Sequence, residues 1–489
     1  MSTGSNSDHT GTFSTKNDCI SLIVLSHGLW GVKSHMSFIE KKLKEKYGNK
    51  AYILNSSVNE GKYSYDGIDI CGIRLAKDVQ STISQLEKNG KTITRISFIG
   101  YSLGGLITRY AIGYLGRRGL FKKIQPHYYT SFATPHMSVK LPKSTLFSAL
   151  FNVISGKIVS RTGEQLQLLD GDMFQQRTLL ETLSDPNDIY YKYLSQFKVL
   201  RCYANIANDR TVPYWTAAME SKDFFFNKKG KLDITLDEKY MSVITDFDLK
   251  SHENYISSND QKKRRKEKSL KPVVQKYVLL CILPLLAPFL YLWGLSFIAV
   301  QGLISRYRTA QLLKEHQQPS LLTAASHLNI RNDAIEHKVE TVQNDSRKDN
   351  SIETAGRKIE GDLLTGALDA VNLANNVDPT EEPHTQVDDF VEYDSEAEEA
   401  DDYYLVKKAY QHHINVQPST ALEKVSRALP LEKPTQRICH NLQKLPWERV
   451  YVYIKAFNAH GSIVCRQKRF TMDGGIATVQ HFIDTTQLA

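Results

Sequence analysis

Short apolar runs alternate with longer stretches of helical period through the first half of the chain. Residues 19–25, 51–55, 93–99, 128–133 and 198–206 read as strands, the third of them β-branched and aromatic. Between them, 36–47 and 67–87 read as helices. After residue 105, Leu106, Ile107, Tyr110, Ala111 and Tyr114 recur at helical spacing. Strands that alternate with helices predict a mostly parallel, doubly wound sheet, whose working loops lie at the carboxyl ends of its strands. The clusters 26–31, 100–104, 134–136 and 207–209 all fall at such ends.

From about residue 257 the pattern breaks. Residues 262–268 form a basic run, and no charged residue occurs between Lys276 and Arg306. Residues from 307 to about 430 are polar and mostly aperiodic, with an acidic tract at 378–402 that is expected to be solvated and disordered, and a short helix at 360–375. Order is expected again from Leu445, with a strand at 449–454, a second alternating strand at 462–470 and a closing helix at 476–483. The organisation expected is a disordered N-terminus (1–18), a first catalytic part (19–256), a basic flank and apolar run (257–306), a disordered acidic linker (307–430) and a closing part (431–489).

Composition changes this picture little. The net charge of +9 over 489 residues hides opposing blocks, and no basic stripe is interleaved with aromatics, so nucleic-acid binding is not expected. Six scattered cysteines make no disulfide framework and fit a reducing compartment. Residues 1–17 have no apolar core of a secretory signal, which points to a domain facing the cytosol. No cluster has usable metal-ligand spacing, and no cofactor is expected.

The chemistry centres on Gly100-Tyr101-Ser102-Leu103-Gly104. A serine between strand and helix sits in a tight turn that lifts its hydroxyl above the sheet, and flanking glycines allow the close approach. Such a nucleophile needs a base, and the base needs an orienting acid. Asp209 directly follows the strand 198–206 and is the expected acid; Asp172 and Asp188 are weaker alternatives. His460, between the strand 449–454 and the run 462–470, is the expected base, and His481 in the closing helix is the alternative. The amides of Leu29 and Leu103 are the natural oxyanion donors, with His27 holding the loop 27–31.

These residues resemble the putative serine esterase branch of the α/β-hydrolases, and within it fungal lipid-droplet phospholipases. The resemblance rests on His27-Gly28-Leu29-Trp30-Gly31, the serine pentapeptide with Gly105, Ala133-Thr134-Pro135-His136, Asn208-Asp209-Arg210-Thr211-Val212-Pro213 and the segments 445–449 and 458–461. It implies an α/β-hydrolase fold and hydrolysis of acyl esters of glycerophospholipids at a lipid-droplet or endoplasmic reticulum surface. A neutral-lipid lipase and an inactive surface tether are the alternatives; no protein partner is indicated.

The apolar run 277–300 is long enough to cross a bilayer. A single crossing would separate Ser102 and Asp209 from both late histidines. Both flanks are basic, which favours one side, and Pro284 and Pro288 lie near the middle. A hairpin entering one leaflet through residues 273–304 is therefore expected. Residues 146–154 are a weaker candidate for an interfacial lid.

Overall fold

The computed structural model describes residues 18–139, 160–171, 177–225, 231–250, 300–307, 408–456 and 458–487, with Ser296 and Thr309. The N-terminus 1–17, the candidate lid 146–154, Asp172, the basic run, nearly all of the apolar run and the acidic tract lie outside the described residues.

Six strands form one parallel sheet: β1 (Asp18–Ser26), β2 (Ala51–Asn55), β3 (Lys91–Tyr101), β4 (Gln125–Phe132), β5 (Val199–Asn205) and β6 (Trp447–Val452), in the spatial order β6-β5-β4-β3-β1-β2. The order reverses at β1 and β3, the switch point of a doubly wound sheet. This is the sheet of an α/β-hydrolase. Strand β1 shows why its sequence is apolar throughout. Leu22 and Val24 enter a core with helices α2 (Ile68–Lys88) and α3 (Leu103–Arg117), while Ile23 and Leu25 enter another with α1 (Ser37–Tyr47) and α4 (Asp473–Asp484). Burial on both faces removes the polar alternation of a half-exposed strand.

Strand β6 comes from the far end of the chain, yet it pairs with β5 in register from Trp447 opposite Leu200 to Val452 opposite Asn205. A buried ion pair fastens the two: Arg201 meets Glu448 across the ladder at 2.8 Å and donates to the hydroxyls of Thr485 and Thr486. A charge buried with its partner and further hydrogen bonds fixes register more than it adds stability.

Two expectations change. Residues 462–470 are not a strand: a helical turn, Ala459–Ser462, follows β6, and Lys468–Phe470 is a 3₁₀ turn. Asn458 caps the first turn by accepting from the Gly461 amide at 2.8 Å, while Ile463 and Val464 bury into the core. Alternation there reflects a buried loop. The linker also ends early. Residues 408–430 pack on the domain: Asn415 exchanges backbone and side-chain bonds with Arg449 of β6, Leu422 is buried, and Arg427–Ala428 pairs with Lys222–Asp223. A hairpin of Leu232–Leu236 and Ile244–Leu249 completes this edge.

Candidate active site

Strand β3 delivers Ser102 into α3 through a left-handed turn, with Ser102 at φ 55° and ψ −127°. A non-glycine residue there is strained and must be held by its surroundings. The Ser102 amide donates to the Phe132 carbonyl at 2.9 Å, and its carbonyl accepts from Thr134 Oγ1 at 2.9 Å. This assigns a task to the 133–136 motif: Thr134 braces the turn. The glycines are needed by contact. A β-carbon on Gly100 would lie 2.4 Å from Gly105, and one on Gly104 would lie 2.1 Å from the Ser26 carbonyl oxygen.

Ser102 Oγ lies 3.0 Å from His460 Nε2, and His460 Nδ1 lies 2.9 Å from Asp209 Oδ2. The carboxylate is an acceptor only, so it places the imidazole proton on Nδ1 and leaves Nε2 facing the hydroxyl. The other oxygen, Asp209 Oδ1, accepts from the amides of Thr211 and Val212 at 3.0 and 2.8 Å. Two asparagines draw the acid and base loops together. Asn205 Oδ1 accepts from the Ile454 amide at 2.8 Å, and Asn208 Nδ2 donates to the Lys455 carbonyl at 3.0 Å. Tyr101 packs on the His460 ring and its hydroxyl donates to the His460 carbonyl at 2.9 Å. Sequence reasoning missed Tyr101, Asn205, Asn208 and Thr134 as supports. The signal was present, since each lies beside a motif residue.

The alternative base does not reach Ser102. His481 bonds to the Tyr203 hydroxyl at 2.9 Å through Nδ1 and to His413 at 3.1 Å through Nε2. Asp188 caps the helix Ile189–Leu194 instead of meeting a histidine.

The loop 27–31 lies against the serine. A β-carbon on Gly28 would come within 2.7 Å of Ser102 Cβ and 3.2 Å of Oγ. In that loop the Trp30 amide donates to Ser64 Oγ and the Gly31 amide to the Gly28 carbonyl, which also meets His27 Nδ1 at 3.0 Å. Among the described residues, the amides of Leu29 and Leu103 have no such acceptor. Both are available to a developing negative charge.

Burial lowers the pKa of three histidines around this edge. His27 is shifted down, His35 to about 2 with Arg466 adding repulsion, and His136 well below its usual value beside Arg109. Above about pH 6.5 all three are neutral whether folded or not. As the pH falls below that, the unfolded chain takes up protons that the fold refuses. Stability is expected to drop between pH 7 and 5.5, by about 1 kcal/mol for His35 alone. Urea midpoints that stay level across that range would contradict neutral burial.

Residues 16–223 match the family model described as "Putative serine esterase (DUF676)". A putative lipase of Schizosaccharomyces pombe is 28% identical over 216 residues, covering 43% of this chain and 27% of that protein. A putative lipase of Saccharomyces cerevisiae is 30% identical, covering 42% and 31%, and the same yeast's putative lipase ROG1 is 29% identical, covering 42% and 29%. The chain thus matches less than a third of the length of these relatives. An alpha/beta hydrolase superfamily protein of known structure from Enterococcus faecalis shares 16% identity over 42% of this chain and 78% of its own, with a TM-score of 0.23. The serine esterase match contains Ser102 and Asp209 but ends long before His460, which β6 and the Asn205 and Asn208 contacts bring into place.

Proposed function

We propose that this protein hydrolyses acyl esters of glycerophospholipids at a membrane or lipid-droplet surface, from the cytosolic side, by a Ser-His-Asp acyl-enzyme mechanism. The observation that carries the reading is the continuous relay from Ser102 Oγ through His460 to Asp209. Ser102 Oγ attacks the ester carbonyl carbon while His460 Nε2 takes its proton, and Asp209 stabilises the imidazolium. The oxyanion accepts from the Leu29 and Leu103 amides. As the tetrahedral centre collapses, the C–O bond to the glycerol breaks and His460 protonates the leaving alkoxide. Water then attacks the acyl-enzyme, giving its proton to His460, and the free fatty acid leaves with Ser102 restored.

Lipid as substrate is supported by the relatives' names and by a helix at 300–307, directly after the apolar run. Val300, Leu303, Ile304 and Tyr307 stand exposed at helical spacing, Leu303 at 67% and Tyr307 at 70%. The opposite face is docked: Ser305 Oγ donates to Asp66 Oδ1 at 2.8 Å, and Arg306 pairs with Glu164 at 3.0 Å. Asp66 follows the turn Gly61–Tyr65, which bonds the loop 27–31 through Ser64 and Gly61. An exposed apolar stripe beside the site suits an interface better than water. Among the described residues no helix is long and apolar enough to cross a membrane.

The test is product analysis with phospholipid vesicles and triacylglycerol emulsions offered in parallel. Fatty acid and lysophospholipid from vesicles are expected; release from emulsions alone would replace the phospholipid reading by the neutral-lipid one. Leu303→Asp with Tyr307→Asp should weaken hydrolysis of vesicle lipid at least tenfold while sparing a soluble short-chain ester. Asp209→Asn, which misplaces the imidazole proton, should lower kcat on the order of 10³–10⁴-fold. His460→Ala should do at least as much, whereas His481→Ala should keep per-molecule activity in whatever fraction folds.

A further inference from the structure

Asp237, from the turn between the two strands of the Leu232–Leu236 and Ile244–Leu249 hairpin, meets two consecutive histidines from the far side of the acidic tract. One oxygen, Asp237 Oδ1, is occupied by the amides of Lys239 and Tyr240 at 2.9 and 2.7 Å. The other, Oδ2, faces His413 Nε2 at 2.8 Å and His412 Nε2 at 3.9 Å. One ligand atom from each of the three residues lies within 4.8 Å of the others. His413 is buried, while the His412 side chain is 57% exposed and leaves the site open to solvent.

We propose that Asp237, His412 and His413 bind a divalent transition metal, zinc by the chemistry of the donors, and that the metal fastens residues 408–415 to the domain. Two imidazoles and one carboxylate are a zinc-type set, with water completing four-coordination. Ligand atoms about 2.0–2.1 Å from one tetrahedral zinc lie roughly 3.3 Å apart. The two separations at Asp237 Oδ2 fall either side of that value, so small side-chain rotations close the site. The surroundings also fit. His413 Nδ1 lies 3.1 Å from His481 Nε2, and His481 Nδ1 lies 2.9 Å from the Tyr203 hydroxyl, an outer shell of the kind that orients a metal-bound imidazole. Zinc at His413 Nε2 requires the other tautomer of that imidazole: the Nε2 proton goes to solvent, His481 Nε2 passes its proton to His413 Nδ1, and His481 takes one from solvent at Nδ1. Both imidazoles stay neutral, Tyr203 keeps its hydroxyl proton, and His413 Nδ1–H donates to His481 Nε2.

Spacing along the chain hides this site, because the carboxylate and the histidine pair are separated by the whole apolar and acidic insert. The metal would clamp the point at which that insert rejoins the fold, next to the Asn415 contacts with β6. The site is distinct from the Ser102 relay, and its test needs no substrate. Untagged full-length protein, stripped with chelator, is titrated with zinc alone against a chromogenic competitor, and its thermal midpoint is followed. One zinc per chain and a rise in midpoint are expected, with affinity at least tenfold weaker in His412→Ala and in Asp237→Asn. His412 is exposed and its replacement should leave the fold intact, so that variant decides if Asp237→Asn fails to fold. A wild-type chain that binds no zinc, or a His412→Ala protein that binds it equally well, overturns the proposal.

Discussion

Ser102→Ala is expected to abolish ester hydrolysis, lowering kcat on the order of 10⁴-fold or more, while the protein keeps its fold. Among the described residues the hydroxyl makes no structural hydrogen bond beyond His460 Nε2, and the turn is held by the backbone of Ser102, through Phe132 and Thr134. Removing it therefore takes the nucleophile and little else. Alanine in a left-handed turn is strained much as serine is, so the thermal midpoint should move by only a few degrees. Fluorophosphonate labelling of wild type and its loss in the variant is the direct measurement. Wild-type turnover in Ser102→Ala would remove the acyl-enzyme reading, and an unlabelled wild type with no turnover on any ester would favour the inactive tether.

The parts of this site that were legible in the sequence are those whose residue types are forced locally. Strand β3, the pentapeptide and α3 read correctly because a buried strand, a left-handed serine and an amphipathic helix each leave a mark within a few residues. The end of β5 marked Asp209 in the same way, by its place after a buried strand. His460 could be weighed against His481 but not chosen on residue type. What separates them is partnership: burial and bonds to Tyr203 and His413 occupy His481, whereas the asparagine clamp at Asn205 and Asn208 carries the His460 loop to Ser102. Those contacts join segments hundreds of positions apart. The alternation at 462–470 misled for a related reason. Apolar residues of a buried loop can alternate without any strand to pair with, and the Asn458 cap that starts the helical turn is a single residue. The ordered stretch 408–430 was hidden because the apolar residues that hold it, Tyr410, Ile414, Val416, Leu422 and Leu429, follow neither a helical nor a strand period.

Gly104→Ala is expected to be among the most damaging single-methyl changes at the described glycines. The added β-carbon would lie 2.1 Å from the Ser26 carbonyl oxygen and 2.6 Å from that of His27. Both obstacles are backbone, at the end of a central strand paired on each side, so no side-chain rotation relieves the clash. Helix α3 would have to withdraw from β1, carrying Ser102 and the Leu103 amide away from Leu29. A cost of about 3 kcal/mol or more is expected, at the upper end of overpacking, along with loss of activity in any fraction that folds. Gly474→Ala is the control: its neighbours are side-chain carbons of Ile454 and Ser242 at 3.3 Å and beyond, which can yield. Denaturant unfolding of the two variants should separate them by at least 2 kcal/mol. Equal midpoints would mean that α3 and β1 do not meet as closely as the serine turn requires, and the assignment of Leu29 and Leu103 as facing donors would fall with that contact.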